Sequence, residues 1–444
     1  MRIVTSTHKT FIDKILARFQ LNNPAVTQTV ATILAEVKAR GNTALFEYTQ
    51  KFDRVTLNED TIRVSKSEIN RAYELIDAEL LAVIRRCAQN IRDFHEKQLE
   101  RSWFMPRLGG VVGQMVLPLE SVGVYVPGGT AAYPSSVLMN IIPAKVAGVE
   151  RIVMATPPST DESSAELPSA RLLAQPRHAA VHPAILVAAA EAGAQEIYKM
   201  GGAQAVAALA YGTESVQKVD KITGPGNMFV AEAKRQVFGT VGIDSFAGPS
   251  EIVVIADGRA NPAWVAADLL SQAEHNPDSA AIAITDCAEV AKKIAEQCQK
   301  QAQTLPRRDI INKSLEDNGA VIIVGSLAEA AELSNRLAPE HLELCVQEPW
   351  ELLAKIKHAG AIFLGDHAPE PLGDYAAGPN HTLPTSTTAR FFSPLSVSDF
   401  CKRTSVIQAS ATGLAGVTAD IAAFARAECL EAHARSVEIR RETE

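Results

Sequence analysis

The sequence is short of the compact signatures from which chemistry is usually read. It holds no intact G-x-G-x-x-G, no H-E-x-x-H and no C-x-x-C. That excludes a regular dinucleotide fingerprint, a zincin helix and a paired-thiolate zinc site. The six cysteines, Cys87, Cys287, Cys298, Cys345, Cys401 and Cys429, are scattered, which predicts reduced thiols in the core and no disulfide framework. No run of Lys and Arg marks a nucleic-acid surface, and the net charge is -8, so a nucleic-acid partner is not expected. No apolar stretch approaches the roughly 18 residues of a membrane span. The first residues, MRIVTSTHKTFIDKILARF, have no signal-type apolar core, and the expected location is the cytoplasm.

What is present suits a soluble globular protein of two or three domains. The chain has 444 residues, 47% apolar and 21% charged, too long for one ordinary core. Asn23, Pro24 and Gly41 punctuate a helix whose stripe is Val26, Val30, Ile33, Leu34 and Val37. Ser65 and Glu68 have capping-box spacing and open a second helical region reaching about Glu100. Beyond residue 110 short β-rich runs alternate with helical segments. VGVYVPGG, RIVMATPP, EIYKMGG and KITGPGN form one series, and EIVVIAD, AAIAITD, GAVIIVG, HLELCV and GAIFLGD a second. Strands that end in Gly or Pro and lead into helices predict βαβ units on parallel sheets. The fold class is therefore α/β: two similar, incomplete Rossmann-like units, a helical N-terminal region and a helical tail. The expected division is 1–123 with 247–380, then 124–246 as the dinucleotide unit, then 381–444 as loop and tail. The Ser/Pro-rich stretch 157–180 reads as a surface insertion.

Ligands of open α/β sheets bind at the carboxyl ends of the strands. YVPGG, GGAQA and TGPGN lie at three such ends in the first unit and favour a cleft, although each alone is equally a tight turn. In the second unit Glu340 and His341 stand side by side. A carboxylate beside an imidazole suits proton transfer, and a surface Glu with a capping His is the plainer alternative. Gln272 and His275, at i and i+3 on one helix, form either a polar edge or half a ligand site. His341, His381, His433 and Asp374 complete a set of imidazole and oxygen donors of the kind zinc or manganese accepts. The other histidines, His95 among them, read as surface or loop residues.

YVPGG, GGAQA, DKITGPGN, AGPSEI, DLLSQAEH, APEHLEL, GDYAAGPNHTLPT and AECLEAH occur in that order over nearly the whole length. In this combination the chain resembles the L-histidinol dehydrogenase family. The resemblance implies an NAD- and zinc-dependent, four-electron oxidation of L-histidinol to L-histidine through a bound aldehyde. It implies zinc on Gln272, His275, Asp374 and His433, with one ion per subunit. Tyr125, Gln204 and Asn227 match the family's NAD-contacting positions. Ser250, His381 and Glu428 match substrate contacts, joined by Gln272, His275, His341, Asp374 and His433. Glu340 and His341 match the catalytic pair. It also implies a homodimer in which the tail, with Glu428 and His433, reaches the neighbouring subunit.

Overall fold

The computed structural model describes residues 1–8, 13, 23–128, 132–158, 180–245 and 248–441. The expected surface insertion and Gly129 of YVPGG fall largely outside these residues. The two series of strand signals become two parallel sheets. The first holds β4 (Ser121–Tyr125), β5 (Arg151–Thr156), β6 (Glu196–Lys199), β7 (Lys221–Thr223) and β8 (Gly242–Ile243), in the order β6-β5-β4-β7-β8. The second holds β9 (Glu251–Ala256), β10 (Ala280–Thr285), β11 (Ala320–Ile323), β12 (His341–Cys345) and β13 (Ala361–Leu364). Its order is β11-β10-β9-β12-β13, with β1 (Arg2–Thr5) added outside β11. Counted from its own first strand, each sheet therefore runs 3-2-1-4-5, which is the duplicated design read from the sequence.

Both sheets are covered on both faces, as parallel sheets must be. Every residue of β9 and β10 is buried. Ile252, Val254 and Ala256 enter one core with the helices Pro262–Ala273 and Ala288–Ala302, while Val253 and Ile255 enter the opposite core with Leu327–Leu337. The first helix, Pro24–Arg40, forms as anticipated. Asn23 caps it, Gly41 ends it, and all five residues of its stripe are buried. Its partners were not anticipated. Val26 to Val37 pack with Tyr198, Val206 and Ile222, and Ile84, Ala88 and Ile91 with Val122, Ile152 and Ile185. The N-terminal helices thus share their core with the five-stranded sheet, not with the unit 247–380 beside which they were grouped. An amphipathic stripe says that a helix has an apolar face, not which sheet that face covers.

Other departures are local. The helical region after Ser65 is two helices, Lys66–Leu75 and Ala78–Glu96, because Asp77 caps the second by accepting from the Leu80 N–H at 2.6 Å. The tail contributes a strand, β14 (Cys401–Gln408), which pairs antiparallel with β3 (Gly110–Pro118), itself paired with β2 (Trp103–Arg107). His95 is fully buried, with Nδ1 2.7 Å from the Ile91 carbonyl and Nε2 3.3 Å from Asn380 Nδ2. Of the cysteines, all free, only Cys298 and Cys345 are buried. No described helix is long and apolar enough to cross a membrane.

The loop 380–382 joins the two units. Asn380 donates to the Met139 carbonyl at 2.6 Å, and Asn140 donates to Thr382 Oγ1 at 3.1 Å. Both partners lie on Pro134–Ala147, the helix that follows β4. Within the five-stranded unit a buried ion pair shapes the turn after β7. Lys234 pairs with Asp244 and donates to the Gly224 carbonyl at 2.9 Å, and Asp244 accepts from the Gly224 N–H at 2.8 Å. Gly224 has φ +110, and a Cβ there would collide with the Tyr125 carbonyl oxygen, so no other residue fits. Replacing Lys234 with Ala strands the Asp244 carboxylate inside the protein. A loss of about 3–5 kcal/mol in unfolding free energy is expected, measured by urea denaturation.

Candidate active site

The residues singled out in the second unit converge at the amino-terminal edge of the six-stranded sheet. β9 and β12 are central neighbours in register, with His341 opposite Ile252. That pairing places Glu340 and His341 beside Glu251. The Glu251 N–H donates to Glu340 Oε2 at 2.9 Å, and His341 Nδ1 lies 3.0 Å from the Glu251 carbonyl. A carbonyl only accepts, so Nδ1 carries the proton and Nε2 presents a bare lone pair. Glu340 and His341 are both buried, 7% and 4% exposed, so the alternative of a surface Glu with a capping His does not hold.

Burial drives their protonation. Desolvation lowers His341 to about 4, which keeps the imidazole neutral at pH 7 and able to accept a proton. Desolvation raises Glu340 well above the usual carboxylate range, against the hydrogen bond from Glu251. Such displacement of neighbouring groups is the mark of sites that move protons.

Around Nε2 lie the candidate ligands. Gln272 lies in the last turn of the helix Pro262–Ala273 and His275 in the turn just past its end, not on the helix as its i, i+3 spacing suggested, with Gln272 Nε2 and His275 Nδ1 3.3 Å apart. Asp374 lies on the short helix Glu370–Tyr375, with Oδ1 3.4 Å from His381 Nδ1. Burial opposes ionisation of Asp374, but the hydrogen bond and charge of His381 and the charge of His341 outweigh it and hold the carboxyl well below its usual range. His381 also reaches Ser136 of the other unit, Nε2 to Oγ 3.5 Å, so the site lies where the two units meet. Ser250 sits half-buried just before β9, at the same edge.

Glu370 was not anticipated. Its Oε1 is 3.8 Å from His341 Nε2, and His341, Glu370 and Asp374 bring one ligand atom each to within 4.8 Å of one another. Burial, then the charge of Asp374, raises the Glu370 carboxyl to about 9. The spacing i, i+4 from Asp374 was its only trace in the sequence. Behind it Glu343 is buried and accepts from the Glu370 N–H at 2.8 Å.

Gln272 Oε1, His341 Nε2 and Glu370 Oε1 are buried without a hydrogen-bond partner. Orphaned acceptors are costly, and two of them, His341 Nε2 and Glu370 Oε1, lie 3.8 Å apart beside Asp374, which fits a cation. The donors are nitrogen and oxygen, without thiolate, which suits zinc or manganese. Glu428 and His433 are not brought here. They are exposed on the tail, whose helices Thr418–Ala427 and Glu431–Glu438 pack mainly on each other, and neither makes a hydrogen bond to the cluster.

The other three positions gather at the carboxyl edge of the five-stranded sheet. Tyr125 ends β4, and its hydroxyl accepts from the Gly202 N–H at 3.1 Å. Gln204 is in the first turn of Gly202–Tyr211, fully buried with both amide atoms unpartnered. Asn227 caps Met228–Val237, accepting from the Phe229 and Val230 N–H groups. β4 and β7 are adjacent where the strand order reverses, the usual crevice of a doubly wound sheet. The unpartnered Gln204 amide beside a helix start fits a polar cofactor.

Glu370→Ala removes the carboxyl that braces both Asp374 and His341. Zinc affinity should fall about 10–100-fold, read by competition with a chromogenic chelator.

Known proteins agree in fold and in length. The histidinol dehydrogenase family model matches residues 16–441. The chain is 55% identical over 414 residues to a histidinol dehydrogenase of Bacillus subtilis (strain 168), covering 93% of this chain and 92% of that protein. It is 53% identical over 429 residues to one of Heliobacterium mobile, covering 96% of each. The crystal structure of histidinol dehydrogenase from Elizabethkingia anophelis superposes with a TM-score of 0.87 at 38% identity, covering 95% of this chain and 93% of that one. The chain belongs to the histidinol dehydrogenase family.

Proposed function

We propose that the chain oxidises L-histidinol to L-histidine in two successive NAD-dependent steps, the closing steps of histidine biosynthesis. The observation that carries this reading is the buried Glu340–His341 pair, whose bare Nε2 opens onto Gln272, Asp374 and Glu370. First the primary alcohol loses a hydride and a proton to give the aldehyde. Water then adds, the hydrate loses a second hydride and a proton to give the carboxylic acid, and that acid releases a third proton to leave the carboxylate. His341, neutral and with Nε2 unprotonated, takes the hydroxyl proton in the first step. Glu340, 3.6 Å from His341 Nδ1, takes a proton from water in the second. A raised carboxyl pKa makes it a stronger base once ionised.

Gln272, His275 and Asp374 would hold zinc, with His433 completing the set. A bound zinc ion supplies Lewis-acid orientation of the substrate's amine and ring nitrogen. Ser250, His381 and Glu428 would contact the substrate, and Tyr125, Gln204 and Asn227 the NAD. Glu428 and His433 stand exposed on the tail, which favours their delivery to the neighbouring subunit of a homodimer. Cytoplasmic location suits a biosynthetic enzyme that draws on soluble NAD. No cysteine lies in the cluster, so the aldehyde is not carried as a thiohemiacetal here.

With limiting L-histidinol, excess NAD and zinc-loaded protein, two NADH per substrate with histidine as product are expected. One NADH per substrate would remove the water-activating role of Glu340. Glu340→Gln should lower the aldehyde-oxidising step by roughly 10²–10⁴-fold. Stopped-flow absorbance of NADH with histidinol and with histidinaldehyde separates the two steps.

A further inference from the structure

One half-buried carboxylate has no place in this chemistry. Asp53 ends the helix Asn42–Asp53, which packs on Gly202–Tyr211, the helix that follows β6 at the carboxyl edge of the five-stranded sheet. Its Oδ2 is buried and without a hydrogen-bond partner, and no cation among the described residues pairs with it. Its neighbour there is Tyr125, whose hydroxyl feels the Asp53 charge. Desolvation raises the Asp53 carboxyl to about 6, the cost of holding it in that place.

Two buried cations of this unit, among the described residues, are already committed. Lys199, at the end of β6, pairs with Glu68 at 2.5 Å, and Lys234 pairs with Asp244. Among the described residues, the polar atoms left unpaired at this edge are a carboxylate oxygen on Asp53, both ends of the Gln204 amide and the hydroxyls of Thr156 and Thr223, which end β5 and β7, with the Tyr125 hydroxyl proton also available as its oxygen accepts from Gly202. An ionised carboxylate can only accept, so it requires a ligand that brings hydroxyls or amines. A phosphate in the same place would meet an uncompensated negative charge.

We propose that Asp53 is a specificity-determining residue of the cofactor cleft, accepting hydrogen bonds from a ribose diol and rejecting a ribose that bears a phosphate. The proposal rests on the NAD reading above and adds to it the choice between NAD and NADP. Asp53 acts in binding and takes no part in the proton transfers at His341.

The test is binding of NAD and of NADP to the zinc-loaded protein by calorimetry, with KM and kcat measured alongside. Asp53→Asn keeps the shape and loses the charge. NAD affinity should fall about tenfold, the worth of a hydrogen bond to a charged group. The preference for NAD over NADP should shrink by at least as much, with kcat changed less than twofold. Asp53→Ser should do the same, which keeps the test open if one variant folds poorly. An NAD-to-NADP preference that is unchanged in both variants overturns the proposal, whether or not NAD itself binds more weakly. If the unaltered protein binds neither dinucleotide, the NAD reading falls first, and that outcome is distinct.

Discussion

The site depends on one backbone contact: His341 Nδ1 donating to the carbonyl of Glu251 at 3.0 Å. It decides which imidazole nitrogen carries the proton, and so which one faces the ligands. It exists because β9 and β12 are hydrogen-bonded neighbours in the six-stranded sheet. The strand order that makes them neighbours is the point where the sheet reverses direction, from β9 to β12. The same pairing gives Glu340 its hydrogen bond from the Glu251 N–H. Sheet topology and proton chemistry are in this sense one arrangement.

That arrangement is held against an electrostatic penalty. Glu340, Glu343 and Glu370 are all buried acids, and burial raises each above the usual carboxylate range. Apolar side chains would stabilise the same volume better, since buried ionisable groups rarely repay their desolvation. Here the acids surround Asp374, which His381 keeps ionised. A cation among them would offset the penalty through differential binding to the folded state. The six-stranded sheet also departs from the general rule, since its site lies at the amino edge of the strands. The five-stranded sheet obeys it, with Tyr125, Gln204 and Gly224 at the carboxyl edge. His381, with one ring nitrogen near Asp374 and the other near Ser136, spans the join between the two units.

Much of this was legible beforehand. The five strands of the second series and four of the first are where alternating apolar runs placed them, because a strand buried on both faces is apolar throughout. Asn23, Gly41, Ser65 and Glu68 act as the caps their spacing predicts. Gln272, His275, His341, Asp374 and His381 do meet. What could not be read were β1, β2, β3, β8 and β14, which are short, exposed or only half-buried, and the sheet on which the N-terminal helices pack. Glu370 was missed because its one trace, the i, i+4 spacing from Asp374, lies in a short Pro-flanked stretch that does not read as a helix. His95 was misread because its partners, Ile91 and Asn380, include one far away in the chain.

The sequence by itself determined the repeated βαβ design, the caps of the first helix and the family, since these rest on local periodicity, capping chemistry and ordered motifs. Only the tertiary structure decided the tautomer of His341, the burial of Glu340, the place of Glu370 and the isolation of Asp53. Each of those depends on groups brought together from distant parts of the chain, such as Glu251 and His341, and on how much water their packing excludes. Spacing along a chain records neither quantity.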